Sequence, residues 1–311
     1  MDNYYNHLLK GDGGALKRAL YKSMGFTDEA LSKPLIGIVN TYTNATPGHF
    51  NINEICSQVE KGIGAEGGTS MVFGTIAPCD GIAEGHDGMR YILPSRDLIA
   101  SSVECMVKAH QFDGLVLLGS CDKIVPGLLM AAARLDLPAI FCNSGPMMPA
   151  VYKGKHYDGN IVTEAVGWKQ RGQITEEEFK EIENIAEPCA GSCAMLGTAN
   201  TMGTLVEAMG LSLPGCGTLS AVASSRLRLA KASGERIVDM VREGLNSNKI
   251  MTEENLINGI KYILAIGGST NAVLHVPAIA KQLGITMTMG IFDELSKKTP
   301  LIAKFKPASK Y

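Results

Sequence analysis

Three short runs, apolar nearly throughout, decide most of what this chain can fold into. They are residues 34–40 (PLIGIVN), 113–120 (DGLVLLGS) and 138–143 (PAIFCN), and the loops after them are rich in Gly, Pro, Asp or Asn. A strand with one wet face alternates apolar and polar residues. A run apolar at every position is buried on both faces, as in a parallel sheet covered by helices. Residues 69–76, TSMVFGTI, read as a further strand. Helical patterns separate these runs. One covers 52–66. A second covers 95–110, with Ile99, Val103, Met106 and Val107 on one face and Pro94 and Ser95 at its start. A third runs through LLMAAARL to Leu135. The alternation predicts an α/β fold, a parallel sheet with helices on both faces.

Beyond residue 150 strands give way to helices, so a boundary is placed there. Residues 1–150 form an α/β region and 151–311 a mainly helical one. Thr175 and Glu178 spell a capping box, and further helices are predicted at 199–209, 224–246, 253–265 and 272–283. The basic tail KTPLIAKFKPASKY reads as the start of a linker.

Composition excludes several functions. Of 311 residues, 45% are hydrophobic and 19% charged, enough apolar material for a core. The net charge of −2 speaks against binding nucleic acid by phosphate neutralisation. No apolar stretch reaches the ~18 residues of a membrane helix. The polar N-terminus lacks the apolar centre of a signal peptide, so the expected location is cytoplasmic. Eight cysteines in such a chain do not read as a disulfide framework. Cys105 and Cys142 lie in apolar runs and are expected in the core. Cys79, Cys121, Cys189, Cys193 and Cys216 lie in Gly/Pro/Asp-rich turns and are candidate metal ligands.

Four segments carry chemistry. Cys121-Asp122-Lys123 follows a predicted central strand, where open α/β sheets bind ligands. A thiol there suits iron or zinc and a carboxylate suits magnesium; the bland alternative is a turn with a buried Cys and a solvated Lys. In Cys79–Met89, three acids and His86 among glycines suit a cation or a plain solvated loop. In EPCAGSCAM, Cys189 and Cys193 suit an iron–sulfur cluster or a capped helix start with incidental thiols. Gly267-Gly268-Ser269-Thr270-Asn271 offers amides and hydroxyls to an anion, although a Ser/Thr helix cap is the favoured reading. His49 and His86 lie in loops near strand ends. His110 and His275 lie on predicted helices and read as structural, and His7 and His156 read as exposed. The serine-hydrolase elbow, the P-loop and the dinucleotide fingerprint are all absent.

In order, TPGH, CDGIAEGHDGMRYILPSRDLIASSVE, CDKIVPGLLMAA, GSCAMLGTANTM and GGSTNAVLH resemble the dihydroxy-acid dehydratase and phosphogluconate dehydratase family, from about Gly11 to Pro307. The resemblance implies a hydro-lyase that converts a 2,3-dihydroxy carboxylate to a 2-keto acid. It implies cluster ligands at Cys121 and Cys193, magnesium (Mg2+) ligands at Asp80 and Asp122, and at Lys123 a lysine carbamylated in the dihydroxy-acid dehydratases. Members with a 2Fe–2S cluster often carry Cys where this chain has Gly48; members with Gly there are linked to a 4Fe–4S cluster. The third ligand is then open, with Cys79 as the candidate. PSRDLIASSVE points to the branched-chain amino-acid pathway, whereas EPCAGSCAML departs from many dihydroxy-acid dehydratases toward a sugar-acid substrate such as a phosphogluconate or an aldonate. The resemblance further implies a homodimer. It also implies a C-terminal β-barrel domain, absent here, that carries a serine base and a glutamate magnesium ligand. The chain alone is then expected to be inactive, a cluster-binding fragment.

Overall fold

The computed structural model describes residues 5–303. In chain order it opens with α1 (Ala15–Ser23), β1 (Leu35–Asn40), α2 (Ile52–Ala65), β2 (Thr69–Gly74), α3 (Ile92–His110), β3 (Gly114–Gly119), α4 (Ile124–Leu135) and β4 (Ala139–Asn143). The four strands form one parallel sheet in the order β2-β1-β3-β4, with Ile36 opposite both Ser70 and Gly114. The chain therefore steps to one side after β1 and to the other after β2. A constant crossover hand then puts the connecting helices on opposite faces. α2 packs under Ile36, Ile38, Val116 and Leu118, while α3 and α4 pack over Leu35, Val39, Leu115 and Leu117. Alternate side chains of each apolar run thus enter two different cores. All of β3 is buried, which is why no polar residue interrupts it. Each buried Leu or Val contributes roughly 1.5–3 kcal/mol.

The rest of the chain comprises the hairpin β5 (Ala150–Tyr152) and β6 (Lys155–Tyr157), then α5 (Asn160–Gln170), α6 (Glu176–Ile185), α7 (Thr198–Ala208), α8 (Ser224–Glu243), α9 (Glu253–Ile266), α10 (Ala272–Gln282) and α11 (Met289–Ser296). Thr175 and Glu178 form the expected capping box at α6. α8 packs on the sheet beside α2. Their backbones touch because both helices carry glycine at the crossing: a side chain at Gly62 would meet the Lys231 carbonyl, and one at Gly234 the Val59 carbonyl. α7, α9 and α10 join the core on the α4 side.

The sheet and its helices match the expected α/β architecture. Two helices start earlier than their sequence suggests, α3 at Ile92 and α4 at Ile124. Pro94 and Pro126 sit in their first turns, where the missing N–H costs no hydrogen bond. The 150–157 hairpin and helices α1, α5 and α11 are not announced by the sequence pattern. Cys142 is buried as expected, but Cys105 is exposed: it lies on the outer face of α3 between the buried Val103 and Val107. The basic tail from residue 304 onward lies outside the described residues.

Candidate active site

β1 and β3 are neighbours whose following connections run to opposite sides, so their carboxyl ends frame the crevice where such sheets bind ligands. The loop after β1 carries Thr41–His49 and the one after β3 carries Ser120–Lys123. His49 joins them. It is fully buried, and its Nε2 accepts the Cys121 backbone N–H at 3.2 Å. Its Nδ1 therefore carries the proton and donates to Thr41, 2.7 Å from the hydroxyl oxygen, while that hydroxyl donates to the Leu118 carbonyl. Burial pushes the His49 pKa down to about 4, so the ring is neutral. Thr46 donates to the Ala77 carbonyl and ties the same loop to the segment before Cys79.

Cys121 lies buried at the head of α4. A side chain at Gly48 would stand 2.5 Å from its Sγ, so the absent Cβ leaves a cradle beside the thiol. The 187–193 loop closes over it. Gly191 donates to the Pro47 carbonyl and Ser192 to that of Gly145. Gly191 has φ +145°, and a Cβ there would strike Met147. Asn200 donates to the carbonyls of Cys193 and Met195, which holds the loop at the start of α7. Burial drives the Cys121 thiol well above its ordinary range, and Cys79, Cys193, Asp80 and Asp122 drive it further. Cys193 is exposed as a residue, yet desolvation of its sulfur, with Glu187, Asp80 and Cys79, pushes it up to about 11, and burial raises the half-buried Cys79. Three thiols thus share one electronegative neighbourhood and stay protonated until a cation compensates them. Cys189 is apart from them, accepting the Met148 N–H at 3.2 Å. Cys216 is a correction to the candidate ligands: it is fully buried at the end of β4, where its sulfur accepts the Asn143 N–H.

Next to the thiols, Asp80 and Asp122 bring their carboxyls within hydrogen-bonding reach. Burial, the Asp122 hydrogen bond and the Asp122 charge raise Asp80 to about 6. Burial also penalises the Asp122 charge, but His275, Asp80 and Lys123 together outweigh it and hold Asp122 well below the usual carboxylate range. The two carboxyls titrate as a pair, with Asp80 the weaker acid of the two. Lys123 Nζ lies 2.8 Å from Asp122 Oδ1. Among the described residues no group of three or more His, Cys, Asp or Glu is gathered tightly enough to hold one metal ion. The donor set still suits two groups of different chemistry, soft thiols around the Gly48 cradle and a neighbouring pair of hard carboxyls. Of the acids in the 79–89 loop only Asp80 turns inward. Glu84 and Asp87 are exposed, and the exposed His86 accepts the Gly88 N–H.

The region also holds residues that the sequence reading set aside. His275, read as structural, is fully buried with Nε2 3.4 Å from Asp122 Oδ1. Arg96 reaches its other ring nitrogen at 3.4 Å. Asn271, one turn before His275, reaches Asp122 Oδ2 at 3.5 Å and Thr198 Oγ1 at 3.0 Å. The expected Ser/Thr cap forms in part: Ser269 Oγ accepts the Asn271 N–H at 3.2 Å, while Asn271 is the N-cap of α10 and its own side chain caps nothing. The available signal was the four-residue spacing of Asn271 and His275, which puts both on one helix face.

Residues 33–311 match the family described as dihydroxy-acid/6-phosphogluconate dehydratase, N-terminal. The chain belongs to that family. It is 51% identical over 302 residues to a dihydroxy-acid dehydratase of Pyrococcus abyssi, covering 97% of this chain and 55% of that protein. It is 49% identical to one of Methanothermobacter thermautotrophicus and 50% identical to one of Methanococcus aeolicus, each over 97% of this chain and 55% of the relative. The chain spans about half the length of the curated relatives it matches.

Proposed function

We propose that this chain is the cluster- and cation-binding part of a dehydratase that removes water from a 2,3-dihydroxy carboxylate to leave a 2-keto acid. One observation carries the reading: Cys121 and Asp122, consecutive just after β3, share one neighbourhood with the thiols of Cys79 and Cys193 and the carboxyl of Asp80. Cys121, Cys193 and Cys79 would hold an iron–sulfur cluster, and Asp80, Asp122 and Lys123 would hold Mg2+. When bound, these groups supply Lewis acidity toward a hydroxyl leaving group and a substrate carboxylate. The residues do the rest. His49 fixes the Cys121 amide, and the 187–193 loop presents Cys193. Lys123, beside Asp122 at 2.8 Å, becomes an oxygen donor when carbamylated, in place of an ammonium that would compete with the cation. Among the described residues no helix is long and apolar enough to cross a membrane. A cytoplasmic homodimer and a small-molecule substrate belong to the same reading.

The relatives named dihydroxy-acid dehydratase favour the branched-chain pathway substrate, and the EPCAGSC loop is the feature that favours a sugar acid. The test is an anaerobic dehydration assay with dihydroxyisovalerate and with gluconate-type acids. It is run on this chain alone and with the second half of a relative supplied in trans. Keto acid from dihydroxyisovalerate in the combined sample only is the expected result. Product from the sugar acids alone would reassign the substrate, and a colourless, iron-free protein after anaerobic reconstitution would remove the cluster.

A further inference from the structure

The GGSTNAVLH segment does more than start a helix. α10 packs against α4, the helix that begins just after Asp122-Lys123. This packing carries Asn271 and His275, residues about 150 positions away, onto the two oxygens of one carboxyl. Arginine can only donate, so the His275 nitrogen facing Arg96 must be the acceptor. That nitrogen is Nδ1, and the ring proton is left on Nε2, the atom that faces Asp122 Oδ1. Yet at 3.4 Å the two are not aligned as a formed hydrogen bond. His275 Nε2 and Arg96 Nε are buried polar atoms with no hydrogen-bond partner, whereas Asp122 Oδ1 has Lys123 Nζ at 2.8 Å. The unpartnered His275 Nε2–H faces that same Oδ1, within half an ångström or so of a normal bond length. A line of groups that stops just short of closing is what a carboxyl poised to turn requires.

We propose that His275 is a positioning residue for Asp122, its ring set by Arg96 so that Nε2–H orients the carboxyl for the cation held by Asp80, Asp122 and Lys123. The inference rests on the cation reading above. A histidine N–H on a ligating carboxylate aims it, and His275 faces the same Oδ1 that Lys123 holds at 2.8 Å. Asn271 steadies the second oxygen from the same helix, so one element sets the carboxyl plane.

Three measurements on the full chain test it. Long-range 1H–15N spectra of histidine-labelled protein, with His275→Gln for assignment, should show the Nε2–H tautomer alone. Mn2+, used as the probe and followed by electron paramagnetic resonance, should bind the unmutated chain and be lost in Asp122→Asn. His275→Leu, with unchanged thermal unfolding, should weaken Mn2+ binding by about 10–100-fold, and His275→Gln, whose amide reaches the Nε2 position, should recover to within about threefold. Should His275→Leu not fold, Arg96→Met takes its place: it keeps the ring, should populate the Nδ1–H tautomer and should weaken Mn2+ binding several-fold. A dominant Nδ1–H tautomer in the unmutated chain overturns the proposal. So does a folded His275→Leu, or Arg96→Met in its stead, that binds Mn2+ as the unmutated chain does while Asp122→Asn does not; that result leaves the cation reading standing. Mn2+ binding unmoved by Asp122→Asn overturns the cation reading, and the proposal with it.

Discussion

Two buried histidines serve adjacent residues, and they do so in opposite states of completion. His49 holds the Cys121 amide with Nε2 while its Nδ1–H is spent on Thr41, whose hydroxyl is spent on Leu118. Its bonds are 2.7–3.2 Å and the network is closed. His275 presents Nε2 to Asp122 and takes Arg96 on Nδ1, both at 3.4 Å, and leaves buried polar atoms without partners. The difference follows from what each neighbour needs. A backbone amide has one fixed geometry, so its partner can be locked at folding. A carboxylate shared with a second acid and an ammonium has several, so its partner is held near without being locked, free to close on it under the proposed cation reading.

Iron content breaks the comparison most sharply. Cys121→Ser and Cys193→Ser should each lose the iron and sulfide that anaerobic reconstitution supplies, and full retention in either would remove the thiol side as a cluster site. Stability comes next. His49→Leu strands the Cys121 N–H and the Thr41 groups in the core, at a cost of about 2–3 kcal/mol in urea unfolding. His275→Leu removes only long contacts and should cost about 1 kcal/mol or less. Equal costs would mean that the two networks are equally formed in solution.

Acid should separate them as well. The His49 pKa is about 4 in the fold against an ordinary value near 6.5. The unfolded chain then binds the proton first as pH falls, so this histidine's contribution is intact above about pH 6.5 and is lost progressively down to about pH 4. The full loss is about 3 kcal/mol. His49→Gln should flatten that part of the stability–pH curve, and an unchanged curve would contradict the buried neutral ring. The smallest effect is expected at Cys105, which is exposed on α3. Cys105→Ser should keep both its iron and its unfolding midpoint, and a loss of iron there would show that thiols outside the crevice take part.

Much of this was legible in residue order. Runs apolar at every position announced strands covered on both faces, because a strand's alternate side chains must each meet a core. Thr175 and Glu178 announced their helix, because a capping box is a contact between residues three apart. Cys121-Asp122-Lys123 announced a site, because the segment follows a buried strand and the carboxyl ends of parallel strands are where the backbone opens. Tertiary structure alone decided that Asp80 and not Glu84 or Asp87 turns inward, that Gly48 stands over the Cys121 thiol, and that His275 faces Asp122. Periodicity reports which face of a helix is apolar, not which helix will lie against it. The Asn271–His275 face met Asp122 only when α10 packed on α4, a contact between segments about 150 residues apart that no local pattern encodes.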